Sequence, residues 1–91
     1  MDRVKTGILG CGVISSTYIK NIQELYQPLE IVACADVDTG KAEARAREFG
    51  IETWSDPDHL LENKDVSMII NLTPPKFHYE LNRRILMAGK N

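Results

Sequence analysis

Two glycines stand where an apolar segment gives way to a helix-like pattern near the start of the chain. They form a Gly-x-Gly motif in the segment Gly10-Cys11-Gly12-Val13-Ile14-Ser15. Glycine at the first position permits a tight turn, and glycine at the second allows a pyrophosphate to approach the backbone. A helix that starts at this motif directs free N–H groups and its positive dipole end at the anion. The motif predicts a phosphate-binding loop, although two glycines at a turn can also be a purely steric requirement.

A carboxylate ends the second apolar segment. Asp36 follows residues 30–35 and comes roughly 20 residues after the glycine loop, the separation typical of the acid that binds the adenosine ribose of a dinucleotide. The alternatives are a solvated turn residue and a helix cap. A carboxylate here binds the 2′-hydroxyl of NAD and repels the 2′-phosphate of NADP. The next residues are Val37 and Asp38, with no arginine, so the pattern favours NAD, although Lys41 could reach back toward a phosphate.

A proline-stiffened turn follows the fourth apolar segment, at residues 66–72. Thr73, Pro74 and Pro75 restrict the backbone, and His78 lies about one helical turn further along. In open parallel sheets, ligands bind at the carboxyl ends of the strands. The turn is therefore expected to face the glycine loop. The alternative is a stiff strand-to-helix connection in which Thr73 is a cap and His78 is structural.

A regular alternation of strands and helices would position these three segments. Short apolar runs predict strands at residues 4–9, 30–35, 51–54 and 66–72. Helical spacing and capping signals predict helices that begin near residues 13, 38, 57 and 75. This order predicts an α/β fold, a partial Rossmann fold whose parallel four-stranded sheet has the order 3-2-1-4 and carries helices on both faces. The pattern stops before a fifth strand, so we expect residues 1–91 to be the first part of a larger dinucleotide-binding domain.

The same spacing predicts which helical side chains face the sheet. On the first helix they are Ile14, Tyr18, Ile22 and Leu25. On the second they are Ala42, Ala46 and Phe49, with Asp38 as the N-cap and Gly50 just after the last turn. On the last helix they are Phe77, Leu81, Ile85 and Ala88.

The overall composition narrows the classes of function. The chain has 91 residues, of which 43% are hydrophobic and 26% charged, as in an ordinary small globular domain. A total of 11 Lys and Arg against 13 Asp and Glu gives a net charge of −2, which argues against nucleic-acid binding. No apolar run approaches the roughly 18–20 residues that a membrane-spanning helix needs.

The cysteines and histidines predict neither a metal site nor a disulfide. There are 2 of each, and their spacing matches no pattern of metal ligands. Cys11 and Cys34 lie in apolar segments, so we expect both to be buried, reduced fillers of the core. Reduced thiols and a start without a secretory signal pattern predict a cytoplasmic protein.

Taken together, these segments resemble the N-terminal dinucleotide-binding part of the Gfo/Idh/MocA family, the glucose–fructose oxidoreductase and inositol dehydrogenase group. The similarity runs over nearly the whole chain. It includes the glycine loop, Ala35-Asp36-Val37-Asp38, the stretch from Ala42 to Ile51, the Thr73-Pro74-x-x-x-His78 turn and Ala88-Gly89-Lys90. The resemblance implies a pyridine-nucleotide oxidoreductase that acts on sugars, polyols or related small hydroxy compounds.

The resemblance also implies a role for each matching residue. It places the pyrophosphate at Gly10, Gly12, Val13 and Ile14, the adenosine ribose at Asp36, and the nicotinamide side at Thr73, Pro74 and His78. Pro75 stands where members of the family often have asparagine. The family's catalytic lysine, in a Glu-Lys-Pro segment, would follow Asn91, and its substrate domain comes later. The resemblance therefore assigns no catalytic residue to this chain, which by itself is expected to be inactive.

Two alternative functions remain open at this point. One is a stand-alone module that binds NAD without chemistry. The other is an S-adenosylmethionine-binding fold, which also has a glycine loop and an acid after its second strand, although that loop is usually richer in glycine. A further expectation concerns association: with no fifth strand, the apolar fourth strand would form an open edge at which a second copy could pair.

Overall fold

The computed structural model describes residues 3–26 and 28–90. The elements, in chain order, are β1 Val4–Leu9, α1 Val13–Leu25, β2 Leu29–Ala35, α2 Thr39–Phe49, β3 Thr53–Ser55, α3 Pro57–Glu62, β4 Met68–Asn71 and α4 Pro75–Met87. All strand pairs are parallel, and the order in the sheet is β3-β2-β1-β4. The structure confirms the predicted α/β fold and strand order. The first and last residues of the sequence, Met1 and Asn91, lie outside the described residues.

Two apolar clusters cover the two faces of the sheet. Side chains alternate between the faces along a strand, so that Ile8 enters one cluster and Leu9 the other. Helices α1 and α2 bury Ile19, Ala42 and Ala46 against the first face. Helices α3 and α4 pack against the second face with Leu60, Leu61 and Ile85, beside Val66 and Ile69.

The structure confirms Asp38 as the N-cap of α2 and the predicted start of α3 at Pro57. The Asp38 carboxylate accepts a hydrogen bond from the Gly40 N–H at 3.1 Å, and that of Asp56 accepts one from the His59 N–H at 2.9 Å. After α2, Gly50 takes the left-handed conformation with φ 70°. The next N–H, that of Ile51, returns to the Ala46 carbonyl at 2.9 Å. Because residue 51 closes this helix end, the third strand starts at Thr53 rather than at the predicted residue 51.

The predicted buried face of α1 was wrong except at Ile22. The buried residues are Ser15, Ile19 and Ile22, whereas Ile14 is 57% and Leu25 77% exposed. Helical spacing defines parallel stripes along a helix but does not say which stripe meets the sheet. The stripe that contains Ile14 borders an open cavity, as described below.

Two smaller differences concern α4 and the fourth strand. Of the predicted face of α4, Ile85 is buried and Leu81 half-buried, but Phe77 is 48% exposed because it borders the same cavity. The fourth strand is shorter than residues 66–72, since the Val66 N–H closes a turn onto the Asn63 carbonyl at 3.2 Å. Within residues 3–26 and 28–90, no helix has the length and apolar content needed to cross a membrane.

Candidate functional site

A cavity of about 960 Å³ lies at the carboxyl ends of the parallel strands. The loops after all four strands contribute to its wall, together with one face of α4. Six of the residues predicted from the sequence line it: Gly10, Gly12, Ile14, Asp36, Thr73 and Pro74. Val13 and His78 are not part of the lining, so a role for them at this site stays a prediction. The fold thus brings together the three segments that the sequence singled out.

Gly10 is required by the chain's own packing. Its φ is +101°, a conformation that side chains with a Cβ rarely adopt. A Cβ there would lie 2.9 Å from the carbonyl carbon of Leu72 and 3.0 Å from the nitrogen of Thr73. Gly10 therefore lets the end of β1 pass close to the turn that follows β4.

Gly12 has no such structural reason to be glycine. Its φ of −75° and ψ of −169° suit any residue, and a Cβ added there would meet nothing within 4 Å. The backbone here borders the cavity, and the missing side chain leaves that approach open. Within the described part of the chain, the N–H groups of Gly12, Val13 and Ile14 have no hydrogen-bond acceptor. An open approach to free N–H groups fits a bound pyrophosphate.

The Asp36 carboxylate lies against the glycine loop. Its Oδ2 accepts a hydrogen bond from the Cys11 N–H at 2.8 Å, and its Oδ1 accepts one from the Asp38 N–H at 2.8 Å. The side chain is half-buried and lines the cavity. Asp38, not Asp36, caps α2, so the helix-cap alternative for Asp36 was wrong. Each carboxylate oxygen keeps capacity for a further donor such as a ribose hydroxyl.

Asn71 organises the turn after β4 and was missed from the sequence. Its Oδ1 accepts hydrogen bonds from the Thr73 N–H at 3.1 Å and from the Thr73 hydroxyl at 2.6 Å. Its Nδ2 donates to the His78 carbonyl at 3.2 Å and to Asn82 Oδ1 at 3.1 Å. The N-cap of α4 is Pro74, so the alternative that Thr73 caps this helix was also wrong. An asparagine at a strand end beside Thr-Pro was the available signal.

Charged side chains of α3 and α4 also line the cavity, and no role was predicted for them from the sequence. Asp58 in the first turn of α3 pairs with Arg84 of α4, and both residues line the cavity. Glu80, one turn before Arg84, also lines the cavity and pairs with Arg83 at 2.7 Å. The contact between Asp58 and Arg84 joins residues of different elements, so local spacing could not reveal it.

The two cysteines are buried and unpaired, as predicted. The thiol of Cys11 donates to the Ala35 carbonyl at 3.4 Å, and that of Cys34 donates to the Ala42 carbonyl at 3.3 Å. The neighbouring Cys34 thiol, together with burial, raises the pKa of the Cys11 thiol well above its ordinary value. Cys11 therefore stays a neutral thiol beside Asp36 and offers no nucleophile. Among the residues that the structure describes, no cluster of His, Cys, Asp and Glu could hold a metal ion.

A histidine shares the carboxylate that caps α3. The Nδ1 of His59 lies 2.8 Å from Asp56 Oδ1, the atom that also accepts the His59 N–H. The hydrogen bond and charge of Asp56 raise the pKa of His59 above its ordinary value. The hydrogen bonds from the backbone and ring of His59 lower the pKa of Asp56. The ion pair thus forms at pH values between the two shifted pKa values.

We expect Asp56→Asn to lower the pKa of His59 back toward its ordinary value. Asparagine still caps a helix well, so the helix end should persist without the charge. The stabilisation from a raised histidine pKa is present below the unfolded-state pKa and is lost as the pH rises through the folded-state pKa. A proton NMR titration of the His59 ring measures the shift. Asp58→Asn, which removes only a minor contribution, should shift it less, and equal titrations in all three proteins would contradict the assignment.

Three features define the class of this domain: the parallel sheet, the glycine loop with its free N–H groups, and the carboxylate at the end of the second strand. Together they are those of a dinucleotide-binding α/β domain of the Rossmann type. Comparison with known families agrees with this class. A family model described as an oxidoreductase family with an NAD-binding Rossmann fold, Gfo/Idh/MocA, matches residues 4–91. The chain belongs to this family, and the match favours NAD over the S-adenosylmethionine alternative.

Curated relatives include several inositol dehydrogenases. The scyllo-inositol 2-dehydrogenase (NAD(+)) of Bacillus subtilis is 33% identical over 90 residues, which are 98% of this chain and 25% of the relative. The inositol 2-dehydrogenase of Salmonella paratyphi B is 29% identical over 89 residues, or 96% of this chain and 26% of the relative. The chain thus spans about a quarter of the length of these relatives.

Solved structures show the same fold. The scyllo-inositol dehydrogenase of Lactobacillus casei, with bound NAD(H) and scyllo-inositol, superposes with a TM-score of 0.88 at 25% identity. The match covers 99% of this chain and 27% of that one. A 3-ketoreductase variant from Actinomadura kijaniata, in complex with TDP-benzene and NADP, gives a TM-score of 0.90 at 27% identity, over 99% of this chain and 28% of that one.

Proposed function

We propose that residues 1–91 are the NAD-binding part of a longer, cytoplasmic oxidoreductase that transfers hydride between a nicotinamide cofactor and a sugar, polyol or related hydroxy compound. The observation that carries the proposal is Gly12, whose missing side chain serves no packing purpose yet opens the backbone to the cavity. The names of the inositol dehydrogenases among the relatives support the substrate class. Two buried, unpaired thiols suit a reducing compartment.

Different residues at the cavity would bind different parts of the cofactor. The N–H groups at Gly12, Val13 and Ile14 would donate to the pyrophosphate, and the Asp36 carboxylate would accept from the ribose hydroxyls. The proposed contacts on the nicotinamide side are Thr73, Pro74 and His78. Bound nicotinamide supplies the hydride chemistry. We assign no general acid or base to this chain, so by itself it should bind cofactor without turnover.

We propose NAD, rather than NADP, as the preferred cofactor. The reason is the negative charge of Asp36, which is held beside the glycine loop and would repel a 2′-phosphate. Lys41 also lines the cavity and is the positive group nearest in sequence to Asp36. Its exposed position on α2 suits a solvated side chain better than a phosphate ligand.

Replacing Asp36 with asparagine tests this assignment. We expect Asp36→Asn to weaken NADH binding by about tenfold, because it removes a charge-assisted hydrogen bond to the ribose. The preference for NADH over NADPH should shrink, because the repulsion of the 2′-phosphate is lost. Fluorescence titration with both cofactors measures the two affinities, and Asp65→Asn, away from the cavity, is the control. An unchanged ratio of the two affinities would contradict the ribose role.

We also propose that the 91-residue chain self-associates through β4. This strand pairs only with β1 among the described strands; its Met68 and Ile70 are half-buried, and its Ile69 is buried in the core. The Ser67 N–H bonds to Lys5 on β1 at 2.9 Å, so alternation along the strand directs the Met68 N–H to the open edge. An open, apolar edge strand is a template for pairing with a second copy.

Light scattering across a dilution series is expected to show a dimer or larger species. Met68→Pro should shift the chain toward the monomer, because proline removes an edge N–H and is tolerated on edge strands. Circular dichroism confirms that the variant is folded. A monomer at every workable concentration of the unsubstituted chain would contradict the proposal.

A further inference from the structure

The third position of the glycine loop carries a hydroxyl that forms part of a polar link to α2. This position usually holds glycine or alanine, which allow close packing of the helix on the strand. Here it is Ser15, which is 0% exposed. The Ser15 hydroxyl donates to the Gly12 carbonyl at 2.6 Å and accepts from Arg45 Nε at 3.0 Å.

Arg45 also reaches the glycine loop directly. Its Nη2 donates to the Gly12 carbonyl at 3.3 Å, and its Nη1 pairs with Glu48 at 3.0 Å. These three partners orient the guanidinium, and its side chain is 21% exposed. Arg47, on the same helix, also pairs with a glutamate of α2, but its side chain is 77% exposed, and Glu43 is its only partner among the described residues.

The Gly12 carbonyl accepts hydrogen bonds from three donors: the Ser15 N–H of α1 at 3.1 Å, the Ser15 hydroxyl, and Arg45 of α2. No cis peptide bond occurs in the described residues. In a trans peptide the N–H and the carbonyl point in opposite directions. Fixing the Gly12 carbonyl therefore also fixes the Val13 N–H, one of the free donors of the loop, on the opposite side. A cationic donor at the carbonyl also polarises the peptide and strengthens its N–H as a donor.

We propose that Arg45 is a positioning residue for the phosphate loop, which acts through Ser15 and the Gly12 carbonyl to aim the Val13 N–H at the cofactor's pyrophosphate. The inference rests on the proposed binding of NAD. It assigns α2 a part in holding the diphosphate, although Arg45 itself does not line the cavity. It also explains why the chain carries serine rather than alanine at the buried third position.

Binding of two fragments of the cofactor, ADP and adenosine, distinguishes a role of Arg45 in positioning the phosphate loop from a role in stabilising the whole fold. ADP presents a diphosphate to the loop, whereas adenosine presents only the base and ribose. We expect Arg45→Met to weaken ADP binding by about tenfold, because the free N–H loses its orientation, and to change adenosine binding by less than about twofold. Backbone NMR titrations with each compound measure both affinities and report the Val13 amide shift on ADP binding. Arg47→Met is the matched control and should bind both fragments like the unsubstituted chain.

Two further variants keep the test decisive if Arg45→Met loosens α2. Arg45→Lys keeps the charge but not the fork of donors, so it should recover only part of the ADP affinity. Ser15→Ala removes the hydroxyl that links Arg45 to the loop. In the Ser15→Ala background, Arg45→Lys should therefore cause a smaller loss of ADP affinity than it does in the otherwise unsubstituted chain. Equal losses for ADP and adenosine, or full ADP affinity without Arg45, would overturn the inference. Failure of the unsubstituted chain to bind ADP would instead overturn the proposed function, and the inference with it.

Discussion

Replacing Gly12 with valine is expected to weaken dinucleotide binding at least about 100-fold while the chain stays folded. The branched side chain would occupy the space through which a pyrophosphate reaches the free N–H groups of the loop. Nothing in the chain itself opposes the substitution, because a Cβ at this position meets no atom within 4 Å and φ is −75°. The cost in stability should stay near 1 kcal/mol, the usual penalty for a poor N-cap.

Titration with NADH and urea unfolding measure the two effects of Gly12→Val separately. Gly40→Val is unsuitable as a control, since a Cβ there would lie 3.2 Å from Asp38 Oδ1. Thr17→Val, on an exposed position of α1 away from the cavity lining, adds a similar branched group without blocking the loop. NADH affinity within threefold of the unsubstituted chain, or about the same loss in Thr17→Val, would contradict the proposed binding mode.

Replacing Gly10 with alanine should instead destabilise the fold, by about 3 kcal/mol or more. Part of this cost comes from a positive φ of 101°. The rest comes from the approach of the new Cβ to within 2.9 Å of the Leu72 backbone, which cannot swing away as a side chain could. Small domains have about 5–15 kcal/mol of stability in total, so much of that reserve would be lost.

Gly50→Ala is the matched control for Gly10→Ala. Gly50 also has a positive φ, of 70°, but a Cβ there meets nothing within 4 Å. Alanine at this position should therefore cost only the conformational part, about 1–2 kcal/mol. Urea unfolding followed by circular dichroism gives both values. Equal destabilisation by the two substitutions would show that the contact with Leu72 does not matter.

The two glycines of the motif are therefore required for different physical reasons. Gly10 is needed because another part of the chain lies against it, and Gly12 is needed only if a ligand does. The motif alone could not separate these reasons, because both glycines occupy the same kind of turn in the sequence. The structure separates them through what surrounds each Cβ position.

Local signals were sufficient for most of the architecture. The alternation of strands and helices, the cap at Asp38 and the start of α3 at Pro57 follow from patterns within a few residues. The strand order follows from the right-handed rule for parallel connections and from the order typical of this fold. The position of Asp36 at the loop also followed, because the carboxyl ends of neighbouring parallel strands meet at one edge of the sheet.

Only tertiary packing decided the remainder. Which stripe of α1 is buried depends on where the sheet lies. Helical spacing alone is compatible with burial of the stripe through Ile14 or of the stripe through Ser15. The contact between Arg45 and Ser15 joins residues 30 positions apart, and that between Arg84 and Asp58 joins residues 26 apart. Side-chain periodicity describes how a segment repeats, but a contact between two segments depends on their distance and rotation, which the packing of both against the sheet determines.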